Sequence, residues 1–292
     1  MHKAGYVNIV GNPNAGKSTL MNVLVGERLS IITSKAQTTR HRILGIVNGE
    51  DFQIIYSDTP GIIAPKYKLQ EGMMQFVGTA ITDADLLLLV VDLSDDCPIE
   101  PKHFERIKKA KVPVIVILNK MDVVSGENLE RSAQKWQREI PGAIMIPISA
   151  LNRKNTDLVL KEILKHLPEH PAYFPKDELT DKPERFFAAE IIREKILHLY
   201  DQEIPYSVEV VVEEYQEKKT LTKIRAVIYV MRESQKGIIL GDQGRSIKKL
   251  GTSARIDIEK FIDRKVFLEL FVKVDKDWRD SDRELKRFGY LK

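Results

Sequence analysis

Gly11-Asn12-Pro13-Asn14-Ala15-Gly16-Lys17-Ser18 decides how the first half of this chain is read. Two glycines with four residues between them, followed by Lys-Ser, make a phosphate-binding loop when a strand precedes them and a helix follows. Both flanks comply. The apolar run Tyr6–Val10 ends at Gly11, and Lys17–Val25 reads as a helix closed by Gly26. Backbone N–H groups from Gly11 to Lys17 would face phosphates, and the helix N-terminus adds the positive end of its dipole. Asn12, Pro13, Asn14, Ala15, Gly16 and Thr19 are expected beside the same ligand. Lys17 would reach the outer phosphates, and Ser18 would hold magnesium.

Working outward, strands near 42–47 and 52–57 are joined by the hairpin signal Asn48-Gly49. Leu86–Leu93 and Val112–Leu118 are continuous apolar runs, the pattern of strands covered on both faces. Helical patterns near 100–110, 128–139 and 156–166 alternate with them, and a short strand follows at Ala143–Ile148. The expectation is an α/β domain with a mostly parallel, doubly wound sheet over residues 1–168.

Three further motifs sit at the ends of these strands. Asn119-Lys120-Met121-Asp122 follows the strand at 112–118, where the Asp122 carboxylate can accept the N1–H and 2-amino hydrogens of guanine. Adenine offers no such pair of donors, so the base would be guanine. Ser149-Ala150-Leu151 ends the next strand, with the Ala150 N–H expected to reach guanine O6. Asp58-Thr59-Pro60-Gly61 ends the strand at 52–57; Asp58 would hold the magnesium shell, and the Gly61 N–H would sense a γ-phosphate. The polar segment Gln37-Thr38-Thr39-Arg40 should close a threonine over the metal, and Thr39 is preferred to Thr38. Lys17, Thr39 and Gly61 are the residues expected to serve the reaction itself. A glutamine that orients water in Ras-like enzymes is replaced by Ile62, which can neither donate nor accept through its side chain.

The chain has 292 residues, enough for two domains at roughly 100–200 residues each. One cysteine, Cys97, excludes an intramolecular disulfide and fits a reducing cytoplasm. Met1-His2-Lys3-Ala4-Gly5 leads straight into Tyr6, which is too little for a signal peptide. The longest apolar run, Leu86–Val91, is far below the roughly 18 residues of a membrane span.

Residues 169–183 are rich in proline and read as a linker. Beyond it the order changes to α-β-β-α-α-β: a helix near 184–200, strands at 206–214 and 222–231, two short helices within 235–263 and a strand at 266–274. Between 223 and 255 eight Lys and Arg residues face only Glu233 and Asp242. Gly241-Asp242-Gln243-Gly244 lies inside that stretch, preceded by Ile238-Ile239-Leu240 and followed by Arg245, Lys248 and Lys249. This α+β domain, residues 184–275, resembles a type II KH domain. That resemblance implies single-stranded RNA binding by Lys236, Gly237, Ile239, Gly241, Asp242, Gln243, Gly244, Arg245, Lys248 and Lys249. Phe186, Phe187, Phe261, Phe267 and Phe271 read as core. A charged tail, 276–292, carries Trp278 and Tyr290, which could anchor it or touch RNA.

Asn-Pro-Asn-Ala-Gly-Lys-Ser-Thr-Leu, Ala-Gln-Thr-Thr-Arg-His-Arg, Asp-Thr-Pro-Gly, Asn-Lys-Met-Asp and Pro-Ile-Ser-Ala in the first domain are similar to the Era family of small-subunit ribosome-assembly GTPases. Ala-Glu-Ile-Ile-Arg-Glu-Lys and Glu-Ile-Pro-Tyr-Ser-Val extend the likeness through the second. The resemblance implies slow hydrolysis of Mg-GTP and binding to the 3′ end of 16S ribosomal RNA during 30S assembly. It further implies a potassium ion held partly by Asn14, loose association with the inner membrane, and a monomer. A GTPase of another RNA, or one whose basic domain meets membrane or protein, stays open as an alternative.

Overall fold

A computed structural model of the chain describes residues 2–35 and 37–291. They form two compact units: the first takes in the chain up to Lys66 and Gln70–Asp181, and the second Tyr67–Leu69 and the chain from Lys182 onward.

In the first unit the elements are β1 (Lys3–Val10), α1 (Lys17–Val25), β2 (Ile43–Asn48), β3 (Phe52–Asp58), α2 (Lys68–Thr82), β4 (Leu86–Asp92), α3 (Pro101–Lys108), β5 (Val114–Asn119), α4 (Gly126–Glu139), β6 (Ile144–Pro147) and α5 (Thr156–His166). The sheet order is β2-β3-β1-β4-β5-β6, parallel except for β2 against β3. The apolar runs of β1, β4 and β5 occupy the middle and are buried on both faces. Parallel strands all end on one side, so β1, β3, β5 and β6 deliver their carboxyl-terminal loops to one edge.

Helix α2 has no counterpart among the sequence expectations. Its buried residues Leu69, Met73, Met74, Val77, Ala80 and Ile81 keep helical spacing. Gly72 and Gly78 dilute the signal, since glycine disfavours helix interiors. Gly78 lets the Arg106 guanidinium lie close against the helix: a Cβ there would stand 2.6 Å from Arg106 Nη1, and Arg106 donates to the Gly78 carbonyl at 2.8 Å.

The proline-rich segment does more than connect. Ile46 N–H donates to Leu179 O at 2.8 Å, and Leu44 N–H to Asp181 Oδ1 at 3.1 Å, along the outer edge of β2. The buried Gln53 side chain accepts from Tyr173 N–H and Phe174 N–H at 2.7 and 3.0 Å and donates to Phe174 O at 2.8 Å. Residues 173–181 are thus a strap that covers a sheet edge. Prolines suit such a place because the segment needs few N–H donors.

The second unit contains α6 (Glu184–Leu199), α7 (Ile204–Ser207), β7 (Glu209–Glu217), β8 (Thr222–Val230), α8 (Glu233–Leu240), α9 (Arg245–Ile262), β9 (Val266–Val274) and α10 (Asp282–Arg287). The sheet runs β7-β8-β9, with β8 antiparallel to β7 and parallel to β9. Ala188, Ile192 and Ile196 of α6 meet Leu250, Ala254 and Ile258 of α9 over Ile224, Ala226 and Ile228 of β8. The strand expected at 206–214 starts three residues later, because Pro205 opens the single helical turn α7. The two helices expected to be short are unequal: α8 has 8 residues and α9 has 18.

The charged tail is folded. Trp278, Leu285 and Tyr290 are buried. Trp278 Nε1–H donates to Ser207 O at 3.2 Å, and Tyr290 O–H to Glu209 at 2.8 Å. Both aromatics anchor the segment to its own unit. Phe187 and Phe261 pack together in the core, whereas Phe267 and Phe271 are 50% and 40% exposed on the outer face of β9, where Arg225 stacks over Phe271. The expectation that all five phenylalanines are core therefore fails for the last two; α6 and α9 cover only the other face of this sheet.

Candidate nucleotide and RNA sites

The phosphate-binding loop joins β1 to α1. Gly11 has φ +148°, and a Cβ on it would lie 2.2 Å from the Val90 carbonyl oxygen. Gly16 has φ +94°, with a Cβ position 2.2 Å from Asn119 Nδ2. Only glycine fits either place. The loop is wrapped around Lys17, whose ammonium donates to Asn12 O at 2.8 Å and whose side chain is buried. Burial lowers its pKa to about 8, a fall that the nearby Asp58 charge limits.

Ser18, Thr39 and Asp58 converge. Ser18 Oγ–H donates to Asp58 Oδ2 at 2.6 Å, the Ser18 and Thr39 hydroxyl oxygens are 2.9 Å apart, and Thr39 Oγ1 is 3.4 Å from the same Asp58 oxygen. Asp58 is fully buried, its Oδ1 has no hydrogen-bond partner, and burial raises its pKa despite the Ser18 hydrogen bond and the Lys17 charge. Two hydroxyls and an under-satisfied carboxylate are a hard-oxygen set that suits a magnesium ion. Thr38 also lines the cavity, but its hydroxyl donates to Lys35 O at 2.6 Å and takes no part in this cluster. Asn14, at φ +60°, uses its amide N–H on Ser34 O at 2.9 Å.

Gly61 lies against the loop, a Cβ on it falling 2.7 Å from Pro13 Cα and N. Ile62 donates its N–H to Gly11 O at 3.0 Å, and its side chain is 3% exposed. Its side chain is packed away, consistent with its inability to place water.

Loops after β5 and β6 complete the site. Asn119 Nδ2–H donates to Ala15 O at 2.8 Å, and Asn119 Oδ1 accepts Ala150 N–H at 3.0 Å. Ala150 N–H is therefore engaged within the protein, where the sequence pointed it at guanine O6. Lys120 pairs with Asp92 at 2.5 Å. Asp122 is exposed, and a hydrogen bond from the Ser149 hydroxyl holds its carboxyl below the usual range. Together these loops enclose a cavity of about 470 Å³. Ser18, Thr19, Asp122 and Leu151 line it as expected; Ile32, Ser34 and Val123 line it without having been singled out. Ile32 (42%) and Val123 (63%) are exposed apolar side chains, a signal that exists only in three dimensions.

In the second unit Gly241 and Gly244 hold φ of +68° and +77° around the turn between α8 and α9. A Cβ on Gly241 would meet Ser246 Oγ at 2.1 Å, while one on Gly244 would meet nothing within 4 Å. No side chain caps α9; Arg245 N–H donates to Asp242 O, and the next amides have no side-chain acceptor. Asp242 faces Arg245 at 3.8 Å, an exposed and weak pair. Ile247, Gly251 and Thr252 of α9 and Leu268 and Leu270 of β9 form a groove of about 310 Å³ with Lys248 and Arg255 at its rim. Ile239, expected to meet bases, is fully buried in the core; Ile238, beside it, is 53% exposed. A run of three apolar residues does not reveal the phase of a short helix.

Residues 6–120 match the family described as 50S ribosome-binding GTPase, and residues 203–279 match the KH domain family. A GTPase Era of Syntrophus aciditrophicus is 47% identical over 99% of this chain and 96% of its own, and one of Alkaliphilus metalliredigens is 44% identical over 99% of both. This chain belongs to the Era GTPase family. It is accordingly an enzyme that hydrolyses GTP, built as a P-loop GTPase domain followed by a KH domain. A crystal structure of Aquifex aeolicus Era, as a variant bound to GDP and AlF4⁻, superposes with a TM-score of 0.93 at 40% identity, covering 99% of this chain and 100% of that one. Another Era structure, in complex with MgGDPNP and nucleotides 1506–1542 of 16S ribosomal RNA, superposes with a TM-score of 0.95 at 40% identity over the whole of both chains. No described helix is long and apolar enough to cross a membrane.

Proposed function

We propose that this Era-family GTPase is a switch whose KH domain binds the 3′ end of 16S ribosomal RNA and whose nucleotide state times its part in 30S assembly. The observation that carries the reading is the convergence of Ser18, Thr39 and Asp58 beside buried Lys17, on the same chain as an uncapped Gly-x-x-Gly turn. The Era structure bound to MgGDPNP and 16S ribosomal RNA supports the choice of ligands.

In this reading the loop from Asn12 to Thr19 wraps the phosphates and Lys17 holds the outer two. Ser18, Thr39 and Asp58 hold magnesium, which neutralises charge on the β- and γ-phosphates. Gly61 N–H donates to a γ-phosphate oxygen. Asp122 accepts two hydrogens from guanine, while Asn119, Lys120, Ser149 and Ala150 fix the loops around the base. Ile62 gives no help to the attacking water, so intrinsic turnover is slow. Asn14 Oδ1 is the group offered to a potassium ion, and a lower turnover in sodium than in potassium tests that step. Lys236, Gly237, Gly241, Asp242, Gln243, Gly244, Arg245, Lys248 and Lys249 form the RNA site, with Ile239 acting only through the core beneath it.

The protein is read as a cytoplasmic monomer; loose contact with the inner-membrane face is a separate reading, tested by flotation with anionic vesicles at rising salt. The central test is fluorescence anisotropy of the 3′-terminal 16S segment and a scrambled oligonucleotide of equal length, each with GDP and with a non-hydrolysable GTP analogue. Selective binding that changes with nucleotide is expected. Equal, nucleotide-independent binding to both would refute the switch.

A further inference from the structure

Helix α9 has a second, shallow depression on the face that adjoins the groove toward β9. Arg245, Lys248, Lys249, Thr252, Ser253 and Ile256 line it, and its volume is about 550 Å³. Leu250, Ala254, Ile258 and Ile262 turn α9 toward the core. Arg245, Lys249, Thr252 and Ile256 recur at three or four residues on the outer face.

Two features mark this face as a binding surface. Ile256 is 40% exposed in the middle of a polar stripe. The cations near it are also unevenly partnered. Arg255 pairs with Glu259 at 2.8 Å and Lys260 with Asp257 at 3.5 Å, whereas among the described residues no carboxylate pairs with Lys248 or Lys249. Two ammonium groups without a carboxylate partner, about two helical turns from an exposed apolar side chain, match the phosphates and a base face of a short strand laid along the helix.

We infer that this depression is a second nucleotide subsite, for the residue of an RNA strand that adjoins those in the groove. Lys248 and Thr252 border both depressions, so one strand crossing the first turns of α9 occupies both. The base lies on Ile256, its edge reached by the Ser253 hydroxyl, and the phosphates lie between Lys248 and Lys249. A lipid surface fits less well: one isoleucine buries too little apolar surface to hold a protein on a bilayer. The inference rests on the reading of this domain as an RNA binder.

The test uses the full chain and two RNA oligonucleotides: one of about four nucleotides, the length a Gly-x-x-Gly turn clamps, and the same core extended by four on each side. Ile256→Glu and Ser253→Glu place a negative charge in the depression, the first at an exposed and the second at a half-buried position outside the core. Both variants are expected to bind the short oligonucleotide within about twofold of the parent protein and the long one at least about fivefold more weakly. The parent's salt slope should be steeper for the long strand by about 0.7 per added phosphate contact. Equal effects on both lengths, or none on either, would overturn the subsite. So would a loss of anionic-vesicle binding with RNA binding unchanged. Failure of the parent protein to bind either strand would instead overturn the RNA reading, and the subsite with it.

Discussion

The Asn119 side chain donates its amide hydrogen to the carbonyl oxygen of Ala15 across 2.8 Å. Its other end accepts the Ala150 N–H, so one buried residue ties together the loops after β1, β5 and β6. It also explains Gly16, whose missing Cβ leaves room for that amide. Asn119→Ala would strand a buried carbonyl and a buried N–H, each costing about 1–3 kcal/mol. We expect GDP affinity to fall by roughly tenfold to a hundredfold, the range of about 1.4–2.8 kcal/mol. Titration with a fluorescent GDP analogue measures it. An unchanged affinity would mean that the three loops hold their positions without this residue.

Ile62 stands where a water-orienting glutamine could be imagined, which invites an attempt to restore one. The backbone argues against success. Ile62 N–H is fixed to Gly11 O and the side chain is packed inward. Ile62→Gln buries an amide without an evident partner. Single-turnover hydrolysis should not accelerate, and the first unit should lose about 1–3 kcal/mol of stability. A clear rise in rate would show that the side chain can swing out to the phosphates.

What could be read in advance was local chemistry. Gly11–Ser18, Asp58–Gly61 and Asn119–Asp122 each need particular residue types within a few positions, so the pattern survives without coordinates. Thr39 was separable from Thr38 only by spacing, and the hydroxyls of Ser18 and Thr39 do meet. Features set by packing were harder. Helix α2 was hidden by Gly72 and Gly78, and the close neighbour of Gly78, Arg106, lies on another element. The strap at 173–181 has the composition of a linker because proline suits both an edge cover and a free connection. Ile238 and Ile239 are chemically alike, and only the packing of α8 tells which is outside.

The strap offers a direct test. Gln53 is buried in β3, and its amide is satisfied by Tyr173 and Phe174. Gln53→Ala leaves two N–H groups and a carbonyl of the strap without that partner. Water can reach some of them, so we expect a loss of about 1–3 kcal/mol rather than the sum of three bonds. Hydrogen exchange at 173–181 should quicken more than exchange in β4 or β5. Unaltered exchange along the strap would show that the β2 contacts suffice to hold it.

Acid should loosen the second unit through Asp257. Burial works to raise its pKa, but hydrogen bonding to Lys195 of α6 and the charges of Lys195 and Lys260 outweigh burial and hold it below 3.8. The folded value is thus below the unfolded one. The stabilisation is complete above about pH 4 and is lost as pH falls through the folded value. Protection of α9 amides should decline over that acid range in the parent protein, and Asp257→Asn should flatten the decline. Identical pH profiles for the two would remove Asp257 from the account.

Gly241 and Gly244 both have positive φ, but Gly241 is extended in ψ (178°) where Gly244 is left-handed helical (12°), and their surroundings differ in a way that separates fold from binding. Gly241→Ala drives a methyl group into Ser246, so the turn must move. At Gly244 the same methyl meets open space, and only the backbone conformation is taxed, by about 1–2 kcal/mol. Gly244→Ala should therefore weaken RNA binding modestly, by less than about tenfold. Gly244→Asp occupies the same open space but sets a carboxylate beside the uncapped amides of α9, where a phosphate would lie. Its loss should exceed that of Gly244→Ala by at least about tenfold at low salt and narrow as salt screens the repulsion. Both variants should retain GTP hydrolysis and the thermal transition of the first unit. Equal losses from alanine and aspartate would mean that Gly244 serves the shape of the turn and that no phosphate approaches it.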